Sequence, residues 1–185
     1  MEFKSRGKNV KISIMARFYN AEMISIGDNV RIDDFCVLSG GTGITIGSHI
    51  HIGCGCYLFG GAGITIEDFA QFSTRISVFS QSDDFFGNCL VGPQVPIRYK
   101  PDMLSGAVTI RTHSLIGTNS TIMPGVTIGE GAAIGAHSLV KKSCAPWSIY
   151  AGVPARRIEI RKNKMLQYEK EFLEEYHGSR RAQNN

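Results

Sequence analysis

Residues 108–143 decide the fold: VTIRTHSLIGTNSTIMPG (108–125) is followed by VTIGEGAAIGAHSLVKKS (126–143). Every sixth residue is aliphatic without a break: Ile110, Ile116, Ile122, Ile128, Ile134 and Val140. A six-residue unit with one inward aliphatic side chain is a short strand plus a turn. Three such units close a triangular coil. Coils stacked with parallel, in-register strands about 4.8 Å apart set each aliphatic on the one below, which makes a continuous core. Helical heptads do not fit, because the period is six and β-branched residues fill the key slots.

The same logic runs upstream with a period of twenty: SRGKNVKISIMARFYNAEMI (5–24), SIGDNVRIDDFCVLSGGTGI (25–44), TIGSHIHIGCGCYLFGGAGI (45–64) and TIEDFAQFSTRISVFSQSDD (65–84). This register aligns Ile26, Ile46 and Ile66; Ile12, Ile32, Ile52 and Phe72; and Phe18, Leu38, Leu58 and Val78. The two extra residues fall at one corner, marked by GGTG and GGAG, where glycine supplies the positive φ of a tight turn.

The repeat breaks twice. Residues 79–107, FSQSDDFFGNCLVGPQVPIRYKPDMLSGA, leave it as a long loop with three prolines and several aromatics. A loop of that length in a compact domain is usually functional. After CAPWSIYAGVPARRI the chain changes to IRKNKMLQYEKEFLEEY, with Met165, Tyr168, Phe172 and Tyr176 at helical spacing. The boundaries expected are a β-helix over 1–158 carrying loop 79–107, a helix over 159–177, and a loose tail over 178–185 that begins just after His177.

Composition narrows the function. The chain has 185 residues, 21 glycines, 19% charged residues and a net charge of +4. That suits one ordinary globular domain. No apolar run approaches the ~18 residues of a membrane span, and MEFKSRGKNVK lacks a signal-peptide core, so a cytoplasmic location is expected. The five cysteines (Cys36, Cys54, Cys56, Cys89, Cys144) contain no CxxC pair and read as buried or idle thiols. No Walker or Rossmann glycine pattern is present, and nucleic-acid binding lacks both strong charge and an aromatic–basic patch. The basic residues gather late, at Lys141, Lys142, Arg156, Arg157, Arg161, Lys162 and Lys164, as either a solvated face or a site for a phosphorylated ligand.

The hexads, the long loop after a mid-chain coil and the ending YAGVPAR resemble the hexapeptide acyltransferases, in the branch of galactoside/maltose O-acetyltransferases and surface-polysaccharide acetyltransferases. The resemblance covers roughly residues 5–160. It implies an all-β fold, a left-handed parallel β-helix with a protruding loop and a C-terminal α-helix. It implies a homotrimer with active sites between subunits and acetyl-CoA as cosubstrate, without a metal. Matched residue by residue, it puts Thr118 and Ala136 beside the pantetheine arm and Lys142 and Arg156 near the CoA phosphates, in accord with the late basic cluster.

One departure matters. The family's catalytic His belongs in the corner loop after the coil that begins at Ile66. Carried over without gaps, that position is Asp83, followed by Asp84. A carboxylate serves as base if its pKa is raised; otherwise this pair caps a turn or binds acceptor hydroxyls. Among histidines, His49, His113 and His137 share a slot with Asn9 and Asn29, which suits corner conformation. His113 is the strongest catalytic candidate of the three, because it opens the first coil after the loop. His51 stacks between Arg31 and Gln71 in an outward polar ladder. The expected reaction is transfer of acetyl from acetyl-CoA to a sugar hydroxyl in surface-polysaccharide or lipopolysaccharide synthesis. The alternative is N-acetylation of a nucleotide-linked amino sugar, whose neutral amine demands less of a base. Two distant readings are a non-catalytic scaffold and a zinc lyase, the latter lacking the HxxxxH spacing it needs.

Overall fold

The computed structural model describes residues 2–183, with side chains as far as Tyr176. The side chain of His177 and those of the expected tail lie outside the described residues. The chain winds into a left-handed parallel β-helix. Its first face stacks Ser5–Arg6, Ile24–Ile26, Ile44–Ile46, Ile64–Ile66, Val108–Ile110 and Thr127–Ile128. The second face begins at Lys11–Ile12 and ends at Ser148–Gly152, and the third runs from Arg17–Tyr19 to Leu139–Val140. All pairings between coils are parallel and in register; Ile64 lies beside Ile44 on one side and Val108 on the other. The register therefore passes across the loop without a slip.

The inward columns are those expected from the repeat. Ile32, Ile52, Phe72, Ile116 and Ile134 run down the second face, and Leu38, Leu58, Val78, Ile122 and Val140 down the third, all buried. At the edges of these columns small polar groups turn inward onto corner carbonyls. Ser114 Oγ donates to Gly129 O (3.1 Å), Ser120 Oγ to Gly135 O (3.0 Å), and Cys36 Sγ to Gly53 O (3.2 Å). The thiols of Cys36, Cys56 and Cys144 are part of the packed core. Burial pushes Cys144 up to about 11, and hydrogen bonding to Cys36 together with burial raises Cys56. Neither is a nucleophile at neutral pH. At the glycine corner, Gly41 has φ +51°, and a Cβ there would collide with the Gly60 carbonyl of the next coil.

The corner between the first and second faces holds a column of left-handed residues. Asn9 (φ 53°), Asn29 (56°), His49 (59°), Phe69 (59°), His113 (60°) and Trp147 (49°) occupy it, with Gly131 (63°) between the last two. Asn and His tolerate this conformation, but Phe and Trp resist it. Ring stacking offsets that cost: His49 lies on Phe69 (centroids 4.8 Å apart, 5° between planes), and Phe69 lies on His113 (5.3 Å).

The C-terminal helix closes over this column. It spans Met165–Gln183, so it begins later than the expected 159, and its backbone continues through 178–183. Residues 155–160 instead form a strand, Ala155–Ile160, that pairs antiparallel with Ser148–Gly152. The helix face turned to the β-helix carries Met165, Leu166, Glu169, Leu173 and Tyr176, while Tyr168 points away and is 60% exposed. Phe172 and Tyr176 meet His49 edge-on, and Asn29 donates to Tyr176 Oη (2.9 Å). Arg161, just before the helix, donates to His113 O (2.8 Å) and Gly131 O (3.0 Å). Replacing Arg161 by Ala strands both carbonyls. We expect a loss of about 1–3 kcal/mol in chemical denaturation; an unchanged midpoint would show that the clamp contributes nothing.

The loop is an ordered excursion. Gln81–Ser82 pairs antiparallel with Leu104–Ser105, which ties its base to the coil.

Candidate active site

Four sets of site residues emerge from this frame. The first is basic. Leu139–Val140 ends the third face, and the turn after it carries Lys141 and Lys142 toward the hairpin formed by Ser148–Gly152 and Ala155–Ile160. Together with Arg156 and Arg157 they line a cavity of about 460 Å³ floored by Tyr150 and Pro154. None of the four cations enters an ion pair among the described residues. Arg156 spends one N–H on Ala155 O (3.0 Å) and keeps the rest of its guanidinium outward. Unpaired cations around a concave surface suit an anionic ligand. The structure thus brings Lys142 and Arg156 together and adds Lys141 and Arg157, which the sequence marks only as members of a cluster.

The second set is a smooth edge. Thr118 and Ala136 sit one coil apart at the corner between the second and third faces, each next to a glycine. A Cβ on Gly117 would strike the Gly135–Ala136 backbone, and one on Gly135 would press on Ala151 (3.0 Å). Thr118 Oγ1 donates to Thr74 O (2.8 Å) and lies 2.8 Å from Thr74 Oγ1. Neither Thr118 nor Ala136 lines the basic cavity.

The third set lies in the loop. Asp83 lines a cavity of about 490 Å³ with Phe79, Phe85, Lys100, Met103 and Met123. Its Oδ2 accepts from Gly92 N (3.1 Å) and Lys100 Nζ donates to Gly92 O (3.0 Å), so both charged side chains are held at one point of the loop. Asp84 is different. Its two oxygens accept from Phe86 N (2.9 Å) and Asn88 N (2.6 Å), a turn cap. The Phe86 amide first, and Asn88 with it, holds this carboxyl below the usual range. Asp84, a catalytic candidate by sequence, thus caps a turn of the loop. The brace is complete above the unfolded value of ~3.9 and is lost as pH falls through the lower folded value.

The fourth set is on the second face. His51 Nε2 lies 2.7 Å from Asp33 Oδ2, and Arg31 Nε lies 2.6 Å from Asp33 Oδ1. Burial alone would raise Asp33, but the bonds from His51 and Arg31 outweigh it and hold the carboxyl below its ordinary range. Asp33, His51, Gln71, Ser73 and Thr74 line a cavity of about 390 Å³. The spacing of twenty places Arg31, His51 and Gln71 in a ladder. Asp33 and Ser73 carry no such signal, since each is one polar corner residue among many.

His113 is not among these groups. It is 8% exposed and stacks on Phe69, and its Nε2 lies 3.1 Å from Glu169 of the helix. Position after the loop suggests catalysis; the corner turns this ring into the stack beneath the helix. His137, in the equivalent slot of the opposite corner, meets Asn119 at 3.2 Å. Among the described residues no three His, Cys, Asp or Glu side chains are grouped as metal ligands. No helix among them is long and apolar enough to cross a membrane.

A β-helix with a basic cavity on its last coil and a carboxylate-bearing loop is the frame of an acyltransferase that takes its acyl group from coenzyme A. The family model described as bacterial transferase hexapeptide (six repeats) matches residues 107–142. The chain is 46% identical over 173 residues to the dTDP-4-amino-4,6-dideoxy-D-glucose acyltransferase of Escherichia coli, across 93% of this chain and 90% of that one. It belongs to the hexapeptide-repeat acyltransferases and is an acyl-CoA-dependent enzyme. Among solved structures it is similar to AntD, an N-acyltransferase from Bacillus cereus in complex with dTDP and 3-hydroxybutyryl-CoA, with 50% identity, a TM-score of 0.91, and coverage of 95% of this chain and 92% of that one. Further AntD structures carry substitutions at a serine and at an aspartate ten positions beyond it. A shorter likeness, 36% identity over 97 residues, reaches the galactoside O-acetyltransferase of Escherichia coli K12, across 46% of this chain and 48% of that one.

Proposed function

We propose that this enzyme transfers an acyl group from a coenzyme A thioester to the amino group of a nucleotide-linked 4-amino-4,6-dideoxyhexose, with Asp83 as the base. This reverses the sequence-based preference for a sugar hydroxyl. The observation that carries it is a carboxylate, not an imidazole, at the loop position, in a chain whose length-wide relatives act on a dTDP-amino sugar. The O-acetyltransferase likeness spans under half of the chain. One serine and aspartate alone in this sequence are ten apart in that order, Ser73 and Asp83. They match the spacing of the pair substituted in AntD.

The chemistry is direct. The neutral amine attacks the thioester carbonyl, so a C–N bond forms and the C–S bond breaks. Asp83 takes the amine proton and returns it to the departing CoA thiolate. A neutral amine attacks a thioester readily, so a carboxylate suffices where a hydroxyl would call for an imidazole. Asp83 and Ser73 line different cavities of one chain. A site holding both takes Asp83 from one copy and Ser73 from the next, as in a homotrimer; native mass spectrometry reads that state directly. The reaction belongs in the cytosol, in keeping with five free thiols.

The test is to follow thiol release and product mass with acetyl-CoA and 3-hydroxybutyryl-CoA against dTDP-4-amino-4,6-dideoxyglucose and a panel of galactosides. Release with the amino sugar and none with the galactosides supports the reading; the opposite pattern, or none at all, sinks it. On the donor side, Lys142→Ala and Arg156→Ala should each raise the KM for acyl-CoA about tenfold, since a charge-assisted phosphate contact is worth about 1.5–3 kcal/mol. Dephospho-CoA thioesters should blunt the difference. Variants with native KM values would remove the phosphate role from this cavity.

A further inference from the structure

The Asp33–His51 pair is built more carefully than a surface ladder requires. An exposed ion pair adds little stability, yet here two cationic or donor groups converge on one carboxylate. Asp33 is held ionised, so it accepts, and the ring nitrogen that faces it, Nε2, carries the proton. In the neutral imidazole, His51 Nδ1 is then a lone-pair acceptor. It makes no hydrogen bond among the described residues, and the side chain is 44% exposed. Its neighbours have the same polarity. Gln71 spends its amide N–H groups on His49 O (2.8 Å) and Phe69 O (3.4 Å), which leaves Oε1 unused. Ser73 Oγ is likewise unengaged and faces the same cavity of about 390 Å³. A concave surface with two fixed acceptors and one hydroxyl recognises a ligand that presents hydrogen-bond donors.

We propose that His51, locked in one tautomer by Asp33, is a specificity-determining positioning residue that accepts a hydrogen bond from a ring hydroxyl of the acceptor hexose. This rests on the reading that the acceptor is a nucleotide-linked sugar, and it names the groups that hold that sugar in place. His51 does not take the reacting proton. It fixes the hexose so that the amine faces the thioester, with Ser73 and Gln71 lining the same wall. Asp33 acts through His51, and Arg31 through Asp33.

The experiment measures steady-state kinetics of the native enzyme, His51→Ala and Asp33→Asn, with whichever sugar nucleotide the native enzyme acylates. Thermal unfolding checks each variant's fold. His51→Ala should raise the KM for the sugar nucleotide by 10- to 100-fold and leave the KM for acyl-CoA unchanged. Asp33→Asn, which no longer enforces the tautomer, should show a smaller rise in the same constant. Monodeoxy acceptors supply the second readout. Loss of the hydroxyl that His51 binds should weaken the native enzyme by the same factor and His51→Ala no further, as a coupled pair requires. An acceptor KM within twofold of native, or equal losses for native and variant on every deoxy acceptor, overturns the proposal. Failure of the amine to react counts against the N-acyl reading instead, because the His51 comparison runs on any sugar nucleotide that does.

Discussion

Asp83→Asn should lower kcat/KM for the acceptor by about 10²–10⁴-fold, the range for loss of a positioned general base, the role proposed for Asp83. The substitution is nearly isosteric. Its amide oxygen can still accept from Gly92 N, the contact that Asp83 Oδ2 makes at 3.1 Å, so the loop keeps its shape. What disappears is the capacity to take a proton. Acyl-CoA binding and thermal stability should stay native, because the basic cavity lies on the last coil and shares no lining residue with the loop. Asp84→Ala separates the two neighbouring carboxylates. It removes the bonds to Phe86 N and Asn88 N and leaves Asp83 in place. Its effect should appear as faster proteolysis of residues 83–103 and a higher acceptor KM, with kcat less affected. An Asp83→Asn enzyme with native turnover would mean that the leaving thiolate alone takes the proton.

Phe72→Ala should cost about 3–5 kcal/mol, the range for deleting a buried phenyl ring. Phe72 is 2% exposed and heads the fully buried side chains by volume. It lies between Ile52 and Ile116 in the second-face column, fixed by parallel pairing on both sides. The coils cannot close over the void, because ladder hydrogen bonds hold them about 4.8 Å apart. The cavity therefore stays open, and the loss falls at the high end of large-to-small substitutions. Denaturant titration measures it. A loss under about 1 kcal/mol would mean that neighbouring columns refill the space.

Much of this was legible before any coordinates. A period of six with one aliphatic per unit admits few structures, and both arrays name the inward columns residue by residue. The corner histidines were legible too, since Asn9 and Asn29 share their slot, and all of them take positive φ. The same corner also holds Phe69 and Trp147. Nothing local favours those rings in that conformation; stacking and the covering helix do. Tyr168 fits helical spacing on paper but lies off the packed face, because the actual stripe runs through Leu166, Glu169 and Leu173. A half-buried glutamate in that stripe makes sense only opposite His113, 56 residues away.

The loop shows the same division. Its departure from the repeat and its paired aspartates are plain in the sequence. Which carboxylate caps a turn and which faces a cavity depends on where Phe86, Asn88 and Gly92 place their amides. Likewise Lys142 and Arg156 line one cavity only because of a hairpin that no repeat foretells.

The sequence by itself determined the β-helix, its register, its core columns and the corner that breaks, because each follows from a pattern repeated every turn. Only the tertiary structure decided which side chains meet. It buried His113 in a stack, made Asp84 a brace, left Asp83 at a cavity, and joined Asp33 to His51. Those placements rest on a few hydrogen bonds and ring contacts between residues that no periodicity links, so they exist only once the coils are stacked and the loop is closed.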